Sequence, residues 1–259
     1  MIRAVSYCSR AFNNRYSNIV NDLKNFPLVD SYKCYREDDI DKNFINSLEP
    51  NVWNHNKGAG YWTWKPWIIN HELNQLSNDD ILLYIDGGCS LNPTPPAVNR
   101  FKEYTDLVKQ SKSKMLVMEL EDWAGGRVGG TRLTDSNYTN SWCVDYIKSK
   151  ISVDDNTITH ALNTNQRAAT IQILQKSTFT ETILKHTLDM LHDTRGVIFS
   201  DQHTKLNELH RHDQSVLSLL YKIHAGDLAI PDETYFGGSG RFNTFTALNM
   251  PIWATRKKN

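Results

Sequence analysis

Three short segments hold the residues whose types and spacing can do chemistry. The first is Asp86-Gly87-Gly88, which follows the apolar run 80–85. Two glycines after a carboxylate let the backbone turn sharply and let a bulky ligand come close. A carboxylate placed this way can hold Mg²⁺ or Mn²⁺, with ligand phosphates supplying further oxygens. The metal then neutralises charge on a departing diphosphate. No second carboxylate stands two residues away, so any further ligands must come from phosphates or from elsewhere in the chain. The plain alternative is a turn-capping Asp86 ahead of Pro93, Pro95 and Pro96.

The second segment is Lys57-Gly-Ala-Gly-Tyr-Trp-Thr-Trp-Lys65-Pro66. Aromatic faces such as that of Tyr61 can stack on a base or a sugar, and Lys57 and Lys65 can meet a diphosphate as point charges. The glycines fit neither a P-loop nor a dinucleotide fingerprint, which excludes those two nucleotide-binding modes here. The third segment is His210-Arg211-His212-Asp213-Gln214-Ser215. Asp213 can take a proton from a hydroxyl that attacks carbon, and Arg211 can pair with a phosphate or an acceptor. Its competing reading is a helix cap, a common place for Asp. His210 and His212 are two residues apart and would not share a face on a helix, so a metal pair is not expected.

These segments need elements to position them. A strand is expected over 2–7, a helix over 16–23 and a second strand over 30–35. The glycine segment should become helical after Pro66, since proline suits the first helical turn. The run 80–85 is apolar from Ile81 on, as in a strand covered on both faces. A helix over 98–108 carries Phe101, Tyr104 and Leu107 on one stripe, and a strand follows at 115–119. The stretch 122–140 has no period and reads as a loop over a cleft. Further elements are a short helix at 142–149, a strand at 169–174, and amphipathic helices at 179–192 and 213–223. The tail from 231 reads as irregular. Alternating strands and helices predict an α/β fold, with a mostly parallel sheet flanked by helices and a mixed C-terminal part. Ligands of such sheets bind beyond the carboxyl ends of the strands. A single domain over 1–259 is expected, with a donor-binding half to about residue 120 and an acceptor-side half from about 121.

Composition narrows the partners. Lys plus Arg and Asp plus Glu each number 29, so the formal charge is zero. That balance leaves no footprint for nucleic acid or an anionic membrane. No apolar stretch approaches the ~20 residues of a membrane span. The four cysteines form no CxxC pair and no signal peptide is apparent. Reduced thiols and a cytoplasmic location, host cytoplasm for a viral chain, are therefore expected.

Taken in order, the three segments resemble small GT-A-fold glycosyltransferases, whose relatives occur in bacterial polysaccharide clusters and in large algal viruses that glycosylate their capsid protein. The resemblance implies a Rossmann-like donor half, a UDP- or related sugar donor, a divalent Mn²⁺ or Mg²⁺ and a glycan or glycoprotein acceptor. On the matching positions, Asp86 would be the metal and diphosphate aspartate, and Lys57 and Lys65 would line the donor pocket. Asp213 would stand where inverting enzymes place their base. The resulting reading puts the donor against Tyr7, Arg10, Lys57, Tyr61, Lys65, Asp86 and Gly87. The acceptor lies between Trp123 and the segment His210, Arg211, His212. Three rivals stay open: a retaining transferase, a non-catalytic glycan- or nucleotide-binding module on the same fold, and a nucleotidyltransferase, which would release pyrophosphate instead.

Overall fold

The apolar run at 80–85 forms the middle of a six-stranded sheet. In the computed structural model, which describes residues 1–120, 133–205, 209–234 and 248–255, this strand is β3 (Ile81–Ile85), and all five residues are buried. Around it stand β1 (Ile2–Tyr7), β2 (Ser31–Tyr35), β5 (Met115–Glu119), β6 (Arg167–Leu174) and β7 (Ala229–Pro231), in the order β2-β1-β3-β6-β5-β7. Only β6 runs against the others, pairing antiparallel with β3 and β5. The pairs β1–β2, β1–β3 and β5–β7 are parallel. This is the expected mixed α/β fold with a mostly parallel sheet. A second small sheet joins β4 (Ser90–Leu91) to β8 (Ile252–Trp253), so the tail is not wholly irregular.

Side chains of a strand alternate between faces, and the core divides accordingly. Leu82 and Tyr84 of β3 point to one apolar layer, and Ile81, Leu83 and Ile85 to the other. The first layer is covered by α5 (Trp64–Asn74), α8 (Ser141–Lys150), α9 (Asp155–Asn163), α10 (Thr178–Asp193) and α11 (Asp213–Ile223). The second is covered by α1 (Asn13–Asn25) and α6 (Pro95–Gln110). Short helices α2 (Lys42–Ser47) and α3 (Pro50–Trp53) lead to the glycine segment. The stripe expected on α6 needs one correction. Leu107 is exposed, and Val108 falls in line with Phe101 and Tyr104 instead, because the helical spacing i, i+3, i+7 selects it.

Two further expectations change. The supposed loop at 122–140 contains α7 (Asp135–Tyr138), whose Asp135 is fully buried. Trp123, expected on the acceptor side, lies outside the described residues. The glycine segment is also more ordered than a turn. Its α4 (Gly58–Tyr61) is left-handed, with positive φ at Gly58, Ala59, Gly60, Tyr61 and Trp62. Tyr61 N–H donates to Lys57 O at 2.8 Å and Trp62 N–H to Gly58 O at 3.2 Å. A left-handed residue with a Cβ costs about 1–2 kcal/mol, and three of the five carry one. Stacking of Tyr61 on His55 and of Trp62 on His212 holds the turn in place.

Candidate active site

A cleft of about 620 Å³ opens where β1 and β3 end. Its floor is built by alternation. Tyr84 faces the layer of α5 and α11, and Asp86, two residues on, stays on the same side. Asp86 N–H donates to Thr170 O of β6 at 3.0 Å, which extends the strand ladder past Ile85 and fixes the carboxylate. From α5 comes Lys65, 3% exposed. Its Nζ lies 3.1 Å from Asp86 Oδ1 and 2.6 Å from Asp213 Oδ2, the first residue of α11. The same Nζ donates to Ala169 O at 3.2 Å. The Tyr84 hydroxyl donates to Asp86 Oδ1 at 2.6 Å. One buried ammonium therefore bridges two carboxylates brought from β3 and α11.

The electrostatics follow from burial and this bridge. Burial pushes the Asp213 carboxyl up, Lys65 draws it partly back, and Asp86 pushes it up again, to about 6. Burial alone would lower Lys65, but Asp213 and Asp86 outweigh it, and the ammonium is held above its ordinary value. The Lys65 ammonium is paired with the buried Asp213 Oδ2 at 2.6 Å. The capping alternative for Asp213 does not hold: His212 occupies the cap position, without a side-chain cap.

The remaining expected residues divide into those that meet here and those that do not. Tyr7, Lys57 and Gly87 line the cleft, as do His210, Arg211 and His212. Tyr7 stacks on Trp64 with ring centroids 3.9 Å apart. Gly87 is required by packing: a Cβ there would sit 2.4 Å from Cys8 Sγ and 2.6 Å from Tyr7 O. Both histidines precede α11 and are tied to backbone, His210 Nε2 to Ile198 O and His212 Nδ1 to Phe199 O. Burial lowers both to about 4, so they are neutral rings at pH 7. His212 also holds φ at 54°, a strained value for a residue with a Cβ. Arg10 does not line the cleft. It is exposed and pairs with Asp38, since β1 ends before it and the chain turns outward. Tyr61 also stands behind the wall, its hydroxyl 3.2 Å from His55 Nε2.

The structure adds Arg15, Trp62, Trp64 and Thr170 to the lining. Arg15 had a signal in the sequence. It stands in line with Ile19 and Leu23 at i, i+4 and i+8 on α1, and all three are buried. A charged residue on an apolar stripe marks a buried polar contact.

The divalent ion expected on Asp86 can be tested against the donor set. Mg²⁺ and Mn²⁺ need several oxygen ligands around an open centre. Among the described residues no three His, Cys, Asp or Glu side chains gather into a metal cluster. The two carboxylates nearest to sharing an ion, Asp86 and Asp213, already share the Lys65 ammonium. A fixed positive charge thus stands where such an ion would be held, and the residues present do not fit it.

No protein-family model and no curated protein matches the chain. Two solved structures are similar in overall shape. One is a glycosyltransferase involved in the glycosylation of the major capsid of PBCV-1, 9% identical, with a TM-score of 0.47, covering 97% of this chain and 92% of that one. The other is mouse xyloside xylosyltransferase 1 in its apo form, 9% identical, with a TM-score of 0.43, covering 98% and 97%. Likenesses this distant lend no weight to a sugar, a metal or a residue role, and those rest on the cleft itself.

Proposed function

We propose that the cleft binds a nucleotide-sugar and transfers its sugar to a glycan hydroxyl with inversion. The observation that carries this reading is Asp213. It is a buried carboxylate paired with an ammonium and set in a cleft beyond the strand ends. A general base works best when its pKa lies near the working pH, and about 6 meets that need at neutral pH. The three motifs and their resemblance to nucleotide-sugar transferases supply the substrate class.

In the proposed reaction the acceptor oxygen attacks the anomeric carbon while its proton passes to Asp213. The bond from that carbon to the nucleoside diphosphate breaks, and the electron pair leaves on the phosphate oxygen. Tyr7, Trp62 and Trp64 offer aromatic surface to the donor, and Lys57 guards the mouth in a 2.9 Å pair with Asp201. Stabilisation by fixed charges aimed at the leaving oxygen is worth several kcal/mol in enzymes of this kind.

A panel of UDP-, GDP- and dTDP-sugars, offered with glycan acceptors, tests the reading by release of nucleoside diphosphate. Release with one donor, and an inverted anomeric configuration by NMR, is the expected result. A retained configuration would remove the role given to Asp213. Neither release nor thermal stabilisation with any donor would remove the nucleotide-sugar reading itself.

A further inference from the structure

Two cations are buried in the cleft, and each has an unusual setting. Arg15 is 3% exposed. Its Nη2 donates to Cys89 O at 2.8 Å and its Nε to Gly87 O at 3.4 Å. Both partners are neutral carbonyls of the loop after Asp86, and among the described residues Arg15 forms no ion pair. Two of the five N–H donors of a guanidinium are used there, which leaves the other three for an anion. Asp22 is near enough to interact with Arg15 electrostatically but makes no ion pair with it, and a buried charge without a direct counter-charge is costly unless a ligand supplies one. Lys65 shows the complementary anomaly. It sits between two carboxylates, where a shared metal would otherwise sit.

We infer that this cleft binds the diphosphate of its nucleotide-sugar through Arg15 and Lys65, with the Lys65 ammonium in the place of a divalent metal. The inference rests on the nucleotide-sugar reading above and specifies how that ligand is held. A nucleotide-sugar carries one negative charge on each phosphate. Arg15 offers a planar fork that suits phosphate oxygens, and Lys65, whose three donors face Asp86, Asp213 and Ala169 O, offers a point charge that exchanges the Ala169 contact for a phosphate oxygen. Asp86 and Asp213 hold the ammonium in position before the ligand arrives, as a preorganised charge should be held. Arg211 and Lys57 add positive charge nearer the mouth.

Calorimetric titration of the full chain with UDP, GDP and dTDP, in excess EDTA and again in excess MnCl₂, tests this. The expected result is that at least one diphosphate binds, with dissociation constants that agree within about threefold between the two conditions. Tightening by about tenfold or more with Mn²⁺ would overturn the inference and leave the nucleotide reading intact. Binding of none under either condition would overturn both. Lys65→Met frees the two carboxylates, so its diphosphate binding should fall at least about tenfold in EDTA and recover with Mn²⁺. Arg15→Gln should weaken binding by a similar factor in both conditions, and unchanged binding by a folded Arg15→Gln protein would overturn the inference. Paramagnetic resonance of Mn²⁺ with the wild-type chain alone should show the free-ion signal undiminished; a bound ion there would also overturn it.

Discussion

The chain buries two lysine–carboxylate clusters, and they are built to different standards. In the first, Lys222 Nζ lies 2.5 Å from Asp135 Oδ2. Every remaining valence is filled: Ser218 and Gln166 donate to the carboxylate, and Lys222 donates to Ala161, Thr164 and Asn165 carbonyls. Neither Lys222 nor Asp135 lines the cleft. In the second, Lys65 serves two carboxylates at once, and the cluster opens to the cleft. The opposite shifts of the two lysines reflect this. Burial lowers Lys222, which has one carboxylate, whereas two carboxylates raise Lys65 despite its burial. A network closed off from the cleft specifies structure, and one that lines it can meet a ligand.

The sharpest way to break this contrast is to neutralise one carboxylate of each cluster. Asp213→Asn should lower turnover about a thousandfold, within the range a positioned base contributes. Nucleoside diphosphate binding should be kept, since Asp86 still holds Lys65. Asp135→Asn should do the reverse. Removing one partner of a buried pair costs about 3–5 kcal/mol, which urea unfolding would report, with turnover per folded molecule unchanged. Should Asp135→Asn cripple turnover at unaltered stability, the division of labour drawn here is wrong.

The pH dependence sharpens the same contrast. A carboxyl at about 6 when folded and near 3.8 when unfolded binds its proton more tightly in the folded chain. Its contribution to stability is complete below about pH 4 and is lost as pH rises to about 6, a loss on the order of 3 kcal/mol. Denaturation curves of Asp213→Asn should lack that slope. In the wild type kcat/KM should rise over the same window as Asp213 loses its proton. Smaller effects belong to the walls. At Gly60, with φ of 93°, a Cβ would come 2.8 Å from Trp53 O, so Gly60→Ala should cost about 1–3 kcal/mol and weaken diphosphate binding. Arg10→Ala should alter neither turnover nor binding, since the exposed pair with Asp38 stands away from the cleft.

Periodicity and punctuation made most of the elements readable. The bounds of β1 and α11 agree with the apolar patterns at 2–7 and 213–223, because each pattern follows from burying one face or two. Lys65, Asp86 and Asp213 were legible as polar residues at element ends. Arg15 was missed because the helix was expected only from residue 16, which left Arg15 off the stripe it shares with Ile19 and Leu23. The left-handed turn of Gly58–Tyr61 was hidden for another reason. Ala59, Tyr61 and Trp62 do not favour that conformation, and only their stacking partners hold it.

Local sequence, then, determined the strands, the helices and which residues carry charge, since those depend on spacing within a few residues. The tertiary structure decided that one ammonium from α5 would stand between carboxylates 21 and 148 residues further along the chain. It also left Arg15 without an ion pair among the described residues, held by the Gly87 and Cys89 carbonyls. Such distances belong to the stacking of α5 and α11 on one face of β3 and β6, where burial removes water and makes each unpaired charge seek a partner.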